Sequence, residues 1–293
     1  MITPLTIVTP ASEREAFEAY QGGAGSAAYY AGGTELLLLM KQGVAQHDVL
    51  IDLKGIVSLS GISRAGADRV RVGSCVKHRE IERSPLLGDL LPLLPTVERH
   101  VANVRVRNAG TLGGNLCFAE PHSDMTLVTL LLDGEIGVFD GKATRTIPAG
   151  EFFVGAYETA MQPGDLLCHV DFPVPPAGTV FGYQQFRLHE RPSCVVGVVL
   201  QPTKDGKGCR RAAVGEGAAG LAPRRSPVAE ALLENVSWEE VARRAAEVGR
   251  VLAEEAEPLE DLTGSEEYKR HLIDVLAQRA ISEALGRREA NNA

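Results

Sequence analysis

Two glycine-rich turns, each set ahead of a helix-like run, restrict this 293-residue chain more than any other feature. The first reads Ala31-Gly32-Gly33-Thr34-Glu35, and Leu36 to Lys41 follow it as a short apolar helix closing at Gly43. Tyr29-Tyr30 ahead of it has the character of a strand end. The second turn runs from Arg107 through Asn108, Ala109, Gly110, Thr111, Leu112, Gly113, Gly114 and Asn115 to Leu116, and leads to a helix from Met125. Glycine permits φ > 0 and close backbone approach, and a helix start adds positive potential. A strand, a Gly-Gly-Thr turn and a helix therefore aim several N–H groups at one point, which suits phosphate. Many Gly-Gly turns are only turns, so either turn by itself admits a purely structural reading.

The flanking residues add chemistry. Thr111 offers a hydroxyl, Gly113 and Gly114 bare backbone, and Asn115 both a donor and an acceptor. Ser123 and Asp124 open the next helix; they are either N-caps or, for Asp124, an acceptor for a ribose or ribityl hydroxyl. A polyhydroxy diphosphate would use both kinds of group. Neither turn is a P-loop, because no Gly-Lys-Ser/Thr follows. Gly215-Glu216-Gly217-Ala218-Ala219-Gly220 matches a dinucleotide string, but Pro223 and Pro227 follow where that fold needs a helix, so a turn between strands is expected. The seven histidines show no metal spacing, and no G-x-S-x-G nucleophile motif occurs. Cys75, Cys117, Cys168, Cys194 and Cys209 form no C-x-x-C pair, and most are expected to be buried. A chain with a cradle and no evident nucleophile leaves the chemistry to a cofactor.

The chain changes character near residue 221. Of 31 glycines, 28 precede that point and three follow, and the remainder is charged and helical in period. Trp238, Val241, Ala245, Val248 and Leu252 recur at helical spacing, as do Tyr268, Leu272, Val275 and Leu276, with Ser237 and Ser265 placed as N-caps. Upstream, strand-like runs at 49–53, 69–72, 136–139, 166–172 and 194–200 interleave with helical patches from Ala11 to Tyr20, around 96–104, and at 125–132 closed by Gly134. That mixture predicts α/β or α+β. The Pro-rich stretch 173–178 has linker character. A formal charge of −8 argues against a nucleic-acid binder. With no signal peptide and no membrane-length apolar run, a cytoplasmic location is expected.

AGGTELLLLMKQG and RNAGTLGGNLCFAEPHSDMTLVTLLLDGEI resemble the two FAD-binding stretches of the flavoprotein (medium) subunits of molybdenum hydroxylases. That group includes aerobic carbon monoxide dehydrogenase and the FAD domain of xanthine dehydrogenase. PGDLLCHVDFPVP, FGYQQFRLHERPS, RRAAVGEGAAGLAPRR and GSEEYKRHLIDVLAQRAI are similar to later family segments in the same order. The resemblance implies an α+β fold: a vanillyl-alcohol-oxidase (PCMH)-type FAD-binding domain of two α/β subdomains, plus a small C-terminal α/β domain. It divides the chain into 1–175, with subdomains about 1–57 and 58–175, and 176–293. By the same resemblance, Tyr30, Ala31, Gly32, Gly33, Thr34, Glu35 and Leu36 hold non-covalent FAD together with Gly110, Thr111, Gly113, Gly114 and Asn115. Ser123 and Asp124 serve the ribityl or phosphate side, Leu166 and Leu167 flank the ring system, and Ala102 and Val106 line it. Where the family often carries lysine this chain has Gln185, with Arg187 nearby. The implied function is electron transfer from a partner iron–sulfur subunit through FAD to an external acceptor. The molybdenum cofactor and [2Fe-2S] clusters then sit only on partners, a large molybdopterin-binding subunit and a small iron–sulfur subunit, in a dimer of heterotrimers. A free-standing FAD-dependent oxidoreductase and a scaffold that has lost FAD are the alternatives.

Overall fold

The structure, a computed structural model, describes residues 5–23 and 25–292. It opens with a βαβαβ unit: β1 (Thr6–Val8), α1 (Glu13–Gly22), β2 (Ala27–Tyr30), α2 (Leu36–Gln42) and β3 (Val49–Asp52). The central β3 is parallel to both neighbours, as helical crossovers require. Ser12 caps α1 by accepting from the Glu15 N–H, and Gly43 ends α2 in the left-handed conformation. Ala16, Ile51 and Ile56 are buried in a small core with Leu166 and Cys168 of the next layer.

That layer begins with β4 (Ile62–Arg64) and β5 (Arg69–Gly73). Short helices follow: α3 (His78–Glu82), α4 (Pro85–Leu90), α5 (Leu93–Glu98), α6 (Val104–Ala109), α7 (Leu112–Phe118) and α8 (Asp124–Leu131). Then come β6 (Glu135–Phe139), β7 (Thr144–Pro148), α9 (Ala149–Phe152), the hairpin β8 (Phe153–Gly155) and β9 (Glu158–Thr159), and β10 (Leu166–Pro173). An antiparallel sheet of order β4-β5-β10-β6-β7 results, with β10 at its centre. The mostly apolar α8 is buried along its whole length, its Asp124, Thr126 and Thr129 included, which explains why its sequence has no solvent-facing charged stripe.

The remainder forms β11 (Val180–Phe186), β12 (Cys194–Pro202), β13 (Gly208–Gly217), β14 (Arg224–Arg225), α10 (Pro227–Leu233), β15 (Val236–Ser237), α11 (Trp238–Glu255) and α12 (Glu266–Asn292). This antiparallel sheet is covered on both faces. Phe181, Val195, Val199 and Ala213 join the core of the preceding layer, while Val196, Val198, Val214 and Leu200 pack with residues of α11 and α12. Burial on both faces is why Cys194–Leu200 reads as an unbroken apolar run rather than an alternation. Ser237 caps α11, and Ser265 accepts from the Tyr268 N–H at the start of α12. Among the described residues, no helix is long and apolar enough to cross a membrane.

Three local expectations change. The helical patch around 96–104 is two helices, because Ala102 turns to φ 42° and Asn103 caps α6 with its own side chain. At the end of α8 the left-handed residue is Asp133, not Gly134; Gly134 is needed because a Cβ there would lie 2.7 Å from Thr129 Cγ2. The string Gly215–Gly220 is not simply a turn. Gly215 and Gly217 lie within β13, where a Gly215 Cβ would come within 2.6 Å of the Arg224 carbonyl oxygen.

Candidate functional site

A cavity of about 750 Å³ opens where the first unit meets the short helices, a size usual for cofactor sites. Its wall holds Ala31, Gly32, Gly33, Thr34, Glu35 and Leu36 from the turn after β2. Ala102 and Val106 line it beside α6, and Gly110, Thr111, Gly113, Gly114 and Asn115 around the start of α7. Ser123 and Asp124 come from the start of α8, and Leu166 and Leu167 from β10. Tyr30 does not line it; Tyr29 does. Successive strand side chains face opposite ways, and the Tyr30 ring lies instead under Lys54, with Nζ 3.8 Å from its centre.

The first turn is built as its sequence suggests. Gly33 has φ +68°, and a Cβ there would run into the Tyr30 ring. Gly32 presses on the second turn: a Cβ would strike the Ala109 carbonyl oxygen and lie 2.7 Å from Gly110 Cα. The two turns thus meet backbone to backbone. Among the described residues, no protein acceptor takes the N–H of Gly32, Gly33, Thr34, Glu35 or Leu36; the first bond of the turn is Leu37 N–H to the Gly33 carbonyl, at 3.1 Å.

The second turn is largely helical. It is the end of α6, a bend at Gly110, and the start of α7. Gly113 N–H donates to the Ser74 carbonyl at 2.9 Å, and a Cβ would lie 2.5 Å from Ser74 Cβ. Gly113 is therefore a helix-crossing glycine whose donor is already used. Gly114 N–H is taken by Thr111 Oγ1 at 3.1 Å, but its Cα is open: a Cβ would meet only Thr111 Oγ1, at 3.0 Å. So the free donors belong to the first turn, and the second supplies a bare surface against which a ligand fits.

Ser123 occupies the N-cap position of α8 without making the capping bond, and donates to Asn115 Oδ1 at 2.7 Å instead. Asp124 is buried, with Oδ1 accepting from the Tyr183 hydroxyl at 3.0 Å and Oδ2 from Arg187 at 3.2 Å. Burial raises its carboxyl to about 6, against the pull of Arg187 and Tyr183. Asp124 is thus first an anchor for the C-terminal sheet; both its oxygens already have protein partners.

Sequence reasoning did not place the 187–192 connection, from which Arg187, His189, Glu190, Arg191 and Pro192 reach the wall. Among the described residues, Arg187 and Arg191 are its only Lys or Arg residues. Arg191 bridges Glu35 at 3.0 Å and Glu120 at 3.2 Å, and Glu120 also binds His122 at 2.8 Å. Burial opposes it, yet His122 and Arg191 hold Glu120 below the usual carboxylate range. No local signal could mark Arg191, since its partners lie far away in sequence. Four cysteines are buried; Cys117 is exposed on the cavity wall. Protein enclosing its other sides pushes that thiol up to about 12, so it is no thiolate at neutral pH.

Comparison with known proteins agrees with this architecture. Residues 3–175 match the family of FAD binding domains in molybdopterin dehydrogenase, and residues 182–284 match the CO dehydrogenase flavoprotein C-terminal domain. The chain is 35% identical to the nicotine 6-hydroxylase medium subunit of Paenarthrobacter nicotinovorans, over 87% of this chain and 88% of that one. It is 29% identical to the carbon monoxide dehydrogenase medium chain of Hydrogenophaga pseudoflava, over 88% of each. A solved structure of carbon monoxide dehydrogenase from Hydrogenophaga pseudoflava superposes with a TM-score of 0.90 at 27% identity, covering 98% of this chain and 99% of that one. Quinoline 2-oxidoreductase from Pseudomonas putida 86 gives 0.88 at 26% identity, covering 97% and 98%. The chain therefore belongs to the molybdopterin dehydrogenase flavoproteins, as an FAD-binding oxidoreductase subunit of the molybdenum hydroxylase family.

Proposed function

We propose that the cavity holds one non-covalent FAD and that the chain passes electrons from a partner iron–sulfur subunit through it to an external acceptor. The observation that carries this is the row of N–H groups from Gly32 to Leu36 that no described protein acceptor takes, lining one cavity with the open Cα of Gly114. Unpaired donors in a row fit a diphosphate, and a bare Cα fits close approach of a ligand. When bound, FAD supplies a centre that accepts electrons singly and releases them singly or in pairs. This chain's residues do the holding. The Gly32–Leu36 turn and Asn115 engage polar groups, while Leu166, Leu167, Val106 and Ala102 exclude water around the apolar ring. Arg187 and Arg191 offset the negative charge of the diphosphate.

The molybdenum cofactor and [2Fe-2S] clusters then reside on a large molybdopterin-binding and a small iron–sulfur subunit, with two such heterotrimers in the complete enzyme. Several similar proteins are named as medium chains or subunits, consistent with that assembly. The test is to express the tagged chain with its genomic neighbours. Co-purification of the two partners, and flavin bleaching by substrate only when they are present, is expected. Bleaching of the isolated chain's flavin by that substrate contradicts the proposal.

A further inference from the structure

The cavity wall contains a histidine, His78, paired behind the wall with the Glu98 carboxylate, that the holding of a diphosphate does not use. His78 is 3% exposed and Glu98 is 0% exposed. His78 Nδ1 lies 2.9 and 3.1 Å from the two Glu98 oxygens. A ring nitrogen that close to a carboxylate is the N–H donor, so the pair fixes the orientation of the ring and leaves Nε2 as its outer edge. That edge faces the bend at Gly110. A Cβ on Gly110 would lie 3.0 Å from His78 Cδ2 and 3.4 Å from Nε2, and the backbone N–H of His78 donates to the Gly110 carbonyl at 3.1 Å. Both residues line the cavity, and Nε2 hydrogen-bonds no described protein group. His122, also on the wall, differs: its Nδ1 binds Glu120 and its Nε2 lies 3.7 Å from Asp261.

Stability does not explain the pair. Burying a carboxylate and an imidazole together is costly, and apolar residues of the same volume serve a fold as well or better. Glu98 lies close enough to Asp124 to raise its carboxyl further, so a second acid here disfavours the charged form of Asp124. What the pair provides is a nitrogen of fixed direction at the cavity surface, the arrangement by which outer carboxylates orient histidines toward ligands.

Resting on the reading of the cavity as the FAD site, we infer that His78 is a cofactor-positioning residue whose Nε2 hydrogen-bonds the bound FAD beside Gly110, with Glu98 setting its direction. His78→Asn and His78→Gln separate this from a packing role. Asparagine keeps a nitrogen for Glu98 and removes the atom at Nε2, whereas the longer glutamine amide reaches toward the Nε2 position. FAD is titrated into each full-length apoprotein, following flavin fluorescence and visible absorption, with apoprotein melting recorded alongside. His78→Asn is expected to bind FAD about tenfold more weakly, the effect of one lost hydrogen bond, with shifted visible bands. His78→Gln is expected to recover most of the affinity. If His78→Asn melts early, His78→Leu with Glu98→Leu, which leaves no buried charge, is expected to show the same loss. A folded Asn or double variant with wild-type affinity and spectrum overturns the role of His78 alone. Wild-type protein that takes up no FAD overturns the reading of the cavity, and this inference with it.

Discussion

At the scale of single residues, the two glycines of the second turn do different work. Gly114→Val puts a branched side chain on the open Cα, and its only close neighbour in the fold is Thr111 Oγ1, at 3.0 Å from the Cβ. FAD binding should be lost while the apoprotein still folds, as calorimetric titration and circular dichroism would show. Retained affinity would mean that the ligand does not approach Gly114. Asp124→Ala acts otherwise, because it strips an acceptor from Tyr183 and Arg187. Stranding the Tyr183 hydroxyl and leaving Arg187 only its backbone acceptors, His100 among them, should destabilise the apoprotein by about 1–3 kcal/mol, measured by urea denaturation; unchanged stability would contradict the anchoring role. The sequence made the glycine pair visible as a pair, but which one crosses a neighbour depends on Ser74, a contact made in three dimensions. Asp124 was legible as important, not as an anchor, because Tyr183 and Arg187 lie beyond the Pro-rich stretch.

At the scale of elements, strands with strong periodic or continuous apolar runs are legible, as are the apolar helices α2 and α8, whereas the short helices α3, α4, α6 and α7 are not. The strands β3, β5, β6, β10 and β12 fall where their apolar residues place them. The α6–α7 bend reads as one glycine-rich turn in the sequence, since Gly110 and Gly113 look like turn residues until the close contacts at His78 and Ser74 are seen. Strand β13 carries a buried liability that composition hides. Glu216 is buried with Oε2 unpartnered, and burial pushes its carboxyl up to about 7 even though Arg224 pulls the other way. The folded state thus holds an extra proton between the ordinary glutamate range and about pH 7, so this group's contribution to stability falls as pH rises through that window. Glu216→Gln mimics the protonated form. It should stabilise the protein by about 1–3 kcal/mol at pH 8, with the gain vanishing below about pH 4.5. Melting curves across that range check it, and a pH-independent difference would contradict the buried charge.

At the scale of the whole molecule, the C-terminal sheet is part of the site as well as part of the core. It contributes Phe181, Val195 and Val199 to the core beneath α8, and the connection between its strands β11 and β12 carries Arg187 and Arg191 to the cavity wall. Sequence reading identified that segment by resemblance but could not bring it to the cavity, because a linker says nothing about how the chain folds back. Arg191→Ala should cost the apoprotein little through Glu35, whose pair is half exposed, and somewhat more through the buried Glu120, which keeps His122 as a partner. It should weaken FAD binding at low salt, and the difference should shrink at high salt; an equal loss at both would show that Arg191 acts by packing. Everything above depends on one cavity taking one flavin. The most direct measurement is the flavin content of the purified chain, by visible absorbance against protein concentration, before and after titration with FAD. One FAD per chain, released on denaturation as free cofactor, is the predicted result. A folded chain that carries no flavin and binds none when it is supplied would contradict the account.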